Sequence, residues 1–189
     1  MRVDNPTVQG QLLLRPRFRS LLRNWWPVVF WLGVIGAEST ETASAANTTE
    51  VLYKLIASVA PQVGLSFVER LDEVLRKTGH FLGYAILSAL VFLALRTTNR
   101  DRLRGLLARA WGIYLRDLWR ADWLWLSILF AVVTASFDEF HQSFLTSRTG
   151  RWQDVVLDAC GAAVAQLLIY LLSAQALRQR QTSEPASTR

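Results

Sequence analysis

The chain has 189 residues, 51% of them hydrophobic, with eight Trp, a formal net charge of +6 and a mean hydropathy of +0.20. That is more apolar than a soluble domain of this length needs, and the apolar residues are gathered in blocks. The single cysteine, Cys160, excludes an intramolecular disulfide and any CxxC or Cys/His zinc spacing, and the basic balance is better used in setting membrane topology than in binding nucleic acid.

Residues 1–24 carry Arg2, Arg15, Arg17, Arg19 and Arg23 against a single acid, Asp4, the composition of a cytoplasmic, lipid-facing lead-in. The first apolar block, Trp25 to Ala37, is short for a span unless its polar ends count. Followed by Ala43-Ser44-Ala45 it imitates a secretory signal, but Pro27 and the bulky Trp residues favour a retained anchor. Ser39 to Thr49 is small and polar. Asn47-Thr48-Thr49-Glu50 then reads as the cap of a short helix running to about Ala60, with Leu52, Leu55, Ile56 and Val59 at helical spacing and Pro61 beyond. Such a helix is expected to lie on the outer surface.

The second block, Val74 to Leu95, predicts a helix from near Leu71 to Arg96, with Lys77, His80 and Tyr84 spaced three and four apart on one face. Arg96 to Arg120 is basic and interleaved with Leu and Trp, which predicts an amphipathic helix on anionic lipid. The third block, Trp123 to Phe137, is anchored by Trp119, Trp123 and Trp125 and ends in Asp138-Glu139-Phe140-His141-Gln142. A loop with Arg148 and Arg151 leads to the fourth, Val155 to Leu172, in a helix opening at Trp152 and carrying Asp154 and Asp158. Ser173 to Arg189 reads as a polar, disordered tail. The expected architecture is an all-α polytopic bundle of four transmembrane helices plus amphipathic surface helices. It divides into a basic segment 1–24, a membrane domain 25–172 and a tail 173–189.

Under that arrangement fifteen Lys or Arg lie on one side of the membrane and six on the other, with both termini on the richer side. The bias predicts cytoplasmic termini and a multi-pass protein of a bacterial inner membrane. His80, roughly 24 Å of helix from Arg96, and Asp138, roughly 22 Å from Trp123, then reach one layer at the outer boundary, where Asp154 and Asp158 also begin their helix.

That layer gathers Arg76, Lys77, His80, Asp138, Glu139, His141, Gln142, Arg148, Arg151, Asp154 and Asp158. Charges at the end of a membrane-length segment are costly unless paired, wetted or used. Three uses stay open. In the first, the carboxylates pair with Lys77, Arg148 or Arg151 and fix the helices, as in a non-enzymatic scaffold. The second is a site for an anionic lipid headgroup such as a phosphorylated polyprenyl carrier, with Lys77, Arg148 and Arg151 holding phosphate. There His80, Asp138 and Glu139 handle protons, and Tyr84, Gln142 and Asp154 contact the ligand. The third is a metal site from His80, His141 and the carboxylates, but no HExxH or other tight ligand spacing occurs, so no metal or cofactor is expected. Gly79 and Gly83 beside His80 predict close approach of a helix or ligand, and Gly161 a helix-packing contact.

Lys77-x-x-His80-Phe81-x-x-Tyr84, together with Asp138-Glu139-x-His141-Gln142-x-Phe144-x-x-x-Arg148 and the following Asp154 and Gly161, resembles the VanZ-like family of small bacterial membrane proteins. The resemblance spans about residues 25–172. It implies a membrane address and a link to the cell envelope, the family being named for a protein associated with resistance to glycopeptides such as teicoplanin. It implies no reaction, and whether the chain is an enzyme stays open. One departure is Asp158, where the family pattern often has Asn.

Overall fold

The computed structural model describes the backbone of residues 6–40, 44–106, 115–145 and 150–183, and the side chains of residues 19–40, 44–45, 47–98, 122–145 and 150–175. The described residues form five helices and no strand: α1 (Pro6–Glu38), α2 (Ala45–Val59), α3 (Leu65–Leu106), α4 (Leu115–Gln142) and α5 (Trp152–Ser183). Segments Leu65–Thr98, Asp122–Gln142 and Trp152–Gln175 are long and apolar enough to cross a bilayer, the mark of a multi-pass membrane protein.

Helix α1 is not among those three, because its apolar block is too short and a membrane-length stretch must take in Arg23, Asn24 or Glu38. It nevertheless runs antiparallel to α3. Val28 and Ile35 enter the common core, the Trp31 indole donates to the Gly83 carbonyl at 2.8 Å, and the Trp25 indole donates to Thr98 Oγ1 at 3.2 Å.

Several boundaries differ from expectation. Helix α3 begins at Leu65 rather than near Leu71, since residues 65–73 are amphipathic: Val68 is buried while Glu69, Arg70 and Glu73 are exposed. Helix α2 begins at Ala45, with Ser44 at its N-cap and no side-chain capping bond. Thr48 and Thr49 lie inside it and both donate to Asp72 Oδ2 on α3, at 3.0 Å each. Helix α5 continues past Leu172 to Ser183, through Ala, Gln, Leu and Arg residues of high helix propensity. Of the expected amphipathic surface helix, residues 96–106 continue α3 and residue 115 onward opens α4. Residues 107–114 lie outside the described residues, as does Arg148.

Polar side chains share the interior of the bundle with an apolar core, and the outside is apolar. On α4, Ser127, Ala131, Ala135 and Glu139 recur every fourth residue and are buried, while Trp125, Leu129, Val133 and Phe137 form the opposite, exposed stripe. Lipid is as apolar as leucine, so such helices gain by close packing and interhelical hydrogen bonds rather than by hiding apolar surface. The tightest approach joins α3 to α5, where a Cβ added at Gly161 would collide with the Phe81 carbonyl. Gly79 and Gly83, expected to serve this purpose, have open space where a Cβ would stand. Their helix turns its glycines past the contact, and α5 supplies the small residue instead.

The variant Gly161→Ala is therefore expected to cost roughly 1–3 kcal/mol through overpacking, whereas Gly79→Ala, with nothing within 4 Å of the added methyl, should not destabilise. Thermal melting of both variants in one detergent checks this; equal melting points would refute the close α3–α5 contact.

Candidate functional site

Helices α3 and α5 run parallel, and one offset of 78 residues relates their facing positions. Ser88 and Gln166 meet across it, the Gln166 amide donating to the Ser88 carbonyl at 2.9 Å and to its hydroxyl at 2.7 Å. The same offset brings His80 to Asp158, with Nδ1 to Oδ2 at 3.7 Å. Between these rungs lies Tyr84, which is 1% exposed and donates to Asp138 Oδ2 on α4 at 3.4 Å, an oxygen that also accepts from Gln142 Nε2 at 3.1 Å. The rings of His80 and Tyr84 stack at 6.5 Å. Polar groups from three helices thus form a column about 12 Å long, eight residues at 1.5 Å each.

The column opens at one end into a cavity of 1020 Å³, walled by α2, the first turns of α3, the end of α4 and the start of α5. Of the expected site residues, Lys77, His80, Glu139, Gln142, Arg151 and Asp154 line it, and so does Arg76. Asp138, Tyr84 and Asp158 lie behind that wall, reached through Gln142 and His80. His141 is exposed and does not line the cavity, because it follows Glu139 and Phe140 around the helix onto another face. Ser39 spends its hydroxyl on the Ile35 carbonyl at 2.9 Å.

Partners differ from those expected. Lys77 Nζ reaches Glu73, one turn earlier on its own helix, at 2.7 Å, since a neighbour at i−4 needs no interhelical fit. Arg151 meets Glu139 through its backbone, the N–H donating to Oε2 at 2.8 Å, and leaves its side chain exposed. That bond ties the loop to α4 just before α5 begins, and Gly150 makes the tie possible, since a Cβ there would strike the Glu139 carbonyl.

Buried carboxylates divide by what they are given. Asp72 has two threonine hydroxyls and Glu139 a backbone N–H, both being 7% exposed. Asp158 is 1% exposed and neither of its oxygens has a hydrogen bond. A buried carboxylate without donors costs several kcal/mol, so Asp158 depends on its contact with His80. Among the described residues no group of three or more His, Cys, Asp or Glu is arranged to hold a metal ion.

The sequence reading missed Asp72, Glu69, Ser88 and Gln166. A signal for the last two existed: each lies eight residues beyond a singled-out group, Ser88 after His80 and Gln166 after Asp158, so each continues the same helical face. Asp72 and Glu69 fall before the apolar block, where no block-based reading looks.

A protein-family model described as VanZ/LLP1 matches residues 24–173. No curated protein and no solved structure matches the chain.

The Ser88–Gln166 rung is measurable by a double-mutant cycle of Ser88→Ala and Gln166→Leu. A coupling energy of roughly 0.6–1.7 kcal/mol is expected for such a bond within a membrane bundle. Unfolding equilibria in mixed detergent supply the number; a value near zero would mean that the two helices do not share this register.

Proposed function

The chain belongs to the VanZ/LLP1 family, and from that membership we propose that it binds or processes a phosphate-bearing, lipid-linked envelope intermediate in the cavity at the end of the bundle. The observation that carries the proposal is the His80–Asp158 contact at the cavity's inner limit. Histidine is the side chain whose ordinary titration falls between about pH 5 and 8. With Nδ1 turned to a buried carboxylate, Nε2 is the nitrogen left for a ligand. Asp158 orients the ring and balances its charge, and His80 gives or takes the proton, with Asp138 and Glu139 at hand. Arg76 and Arg151 hold phosphate, and Arg148 is given the same role from the sequence alone. Lys77, shared with Glu73, contributes less than its place in the sequence promised.

In this reading four helices cross the inner membrane, α1 included, and both termini are cytoplasmic. The cavity faces outward, and an effect on glycopeptide susceptibility goes with an intermediate of the cell wall. A non-enzymatic scaffold is the second reading, favoured by charges that already have partners: Lys77 with Glu73, and Asp138 with Tyr84 and Gln142.

Three experiments test these statements. Mass spectrometry of the purified full chain should find a phosphate-bearing lipid retained. Asp158→Asn alone, and His80→Ala combined with Asp158→Asn so that no buried carboxylate is left unpaired, should melt no lower than the parent while losing the lipid-dependent phenotype by about a hundredfold or more, the range of general acid–base catalysis; variants that melt like the parent and keep full activity would leave the scaffold. Reporter fusions after Arg104 and after Gln179 should both signal cytoplasm, and a periplasmic signal from either would overturn the four-span topology.

A further inference from the structure

Six carboxylate side chains line the cavity against three of Lys and Arg and one His. Several are already satisfied. Glu73 holds Lys77 at 2.7 Å, and Glu50 holds Lys54 at 2.6 Å, whose ammonium keeps the Glu50 carboxyl below its ordinary value. With those two removed, the described lining residues offer Glu69, Asp72, Glu139 and Asp154 against Arg76 and Arg151. Asp72 and Glu139 accept hydrogen bonds from neutral donors, two threonine hydroxyls and a backbone N–H, and these leave their charge uncancelled. Behind the wall, Asp158 faces His80 at 3.7 Å, and that pair leaves the balance of four carboxylates against two guanidiniums as it stands. Potential in a low-dielectric cleft is focused rather than screened, so a ligand with phosphate alone would meet more repulsion than attraction here.

The geometry points to a headgroup that carries a protonated amine as well as a phosphate. This rests on the headgroup-site reading and sharpens it to a ligand class. Phosphate would take Arg76 and Arg151, with the forked guanidinium geometry that suits its oxygens. The ammonium, with three donors and no acceptor, would take Glu69, Asp154 and the inner carboxylates. The cavity's 1020 Å³ exceeds what a phosphoethanolamine group needs and has room for a sugar-sized headgroup. The same pair of charges occurs on an amine-bearing phospholipid and on a polyprenyl phosphate carrying a free-amine hexosamine.

Native mass spectrometry of the full chain in neutral detergent separates the possibilities, with dioleoyl phosphatidylethanolamine, dioleoyl phosphatidylglycerol, polyprenyl phosphate and polyprenyl-phosphoryl-glucosamine as probes. An amine-bearing lipid should bind about tenfold tighter than the amine-free lipid with the same tails, one decade being the scale of one desolvated charge contact. Whichever amine-bearing probe shows the larger ratio identifies the source. The double variant Glu69→Gln, Asp154→Asn should lose that preference and keep its affinity for phosphatidylglycerol, with a melting point equal to the parent's. Equal or tighter binding of the amine-free lipids overturns the amine while leaving a headgroup site. So does phosphatidylglycerol binding that appears only with Mg²⁺ and vanishes with chelator, because a metal ion then supplies the positive charge. Failure of all four lipids to bind overturns the headgroup-site reading itself.

Discussion

Everything at the cavity end of this bundle depends on how closely α5 lies against α3. Gly161 against the Phe81 carbonyl sets that approach, and a side chain of any size there would push the helices apart. At this separation a short hydrogen bond between Gln166 and Ser88 is possible, and the parallel offset it fixes sets His80 opposite Asp158 two turns away. A slip of one residue would turn α5 by about 100° relative to its partner and carry Asp158 out of the seam. Register here is thus enforced twice, by steric fit at the glycine and by hydrogen bonding at the amide.

The second constraint is desolvation. Burying Ser88, Ser127, Asp158 and Gln166 while exposing Leu, Val, Phe and Trp makes sense only for a chain surrounded by lipid. The hydroxyls and the amide donor are satisfied, Ser127 for instance by the Trp123 carbonyl at 2.6 Å. Gln166 Oε1 and both oxygens of Asp158 lack a hydrogen bond, and the carboxylate is the costlier group to leave so. The burial of Asp158 without a hydrogen-bond donor is unfavourable for stability. Groups that violate local economy in this way are commonly retained for chemistry, which is why the proton-handling reading rests on this pair rather than on the exposed charges around the mouth.

Much of the architecture was legible in the sequence because lipid imposes simple rules. Three apolar spans, the common level of His80 and Asp138, and the packing role of Gly161 follow from hydropathy, helical rise and residue size. Partner choice was not legible. Lys77 had several carboxylates within reach by depth, and the nearest along its own helix took it. Asp138 and Glu139 are adjacent in sequence, yet about 100° apart around α4, so one turns to Tyr84 and the other to the loop at Arg151. The start of α3 was hidden because its amphipathic first turns face α2 and the cavity, not lipid. Hydropathy cannot tell such a stretch from a loop.

Those first turns also bear on the proposed ligand, an amphiphile rather than a free polar solute. Helix α2 forms one wall, and the side-chain ties shown between it and α3 are the two threonine hydroxyls on Asp72. Its outer stripe of Val51, Leu55 and Val59 is exposed, Val59 by 85%, and Leu65 and Phe67 continue the apolar rim onto α3. In water such a rim would be a liability. At a membrane surface it seats the helix at the boundary between headgroups and acyl chains, so the wall of the cavity becomes continuous with the bilayer. A ligand with its charged head among Arg76, Arg151 and the carboxylates can then leave its tail in lipid throughout, and entering the site costs it no exposure of hydrocarbon to water. A water-soluble phosphate compound would gain nothing from that rim. In the proposed reading the apolar border and the mixed-charge interior take opposite ends of one molecule.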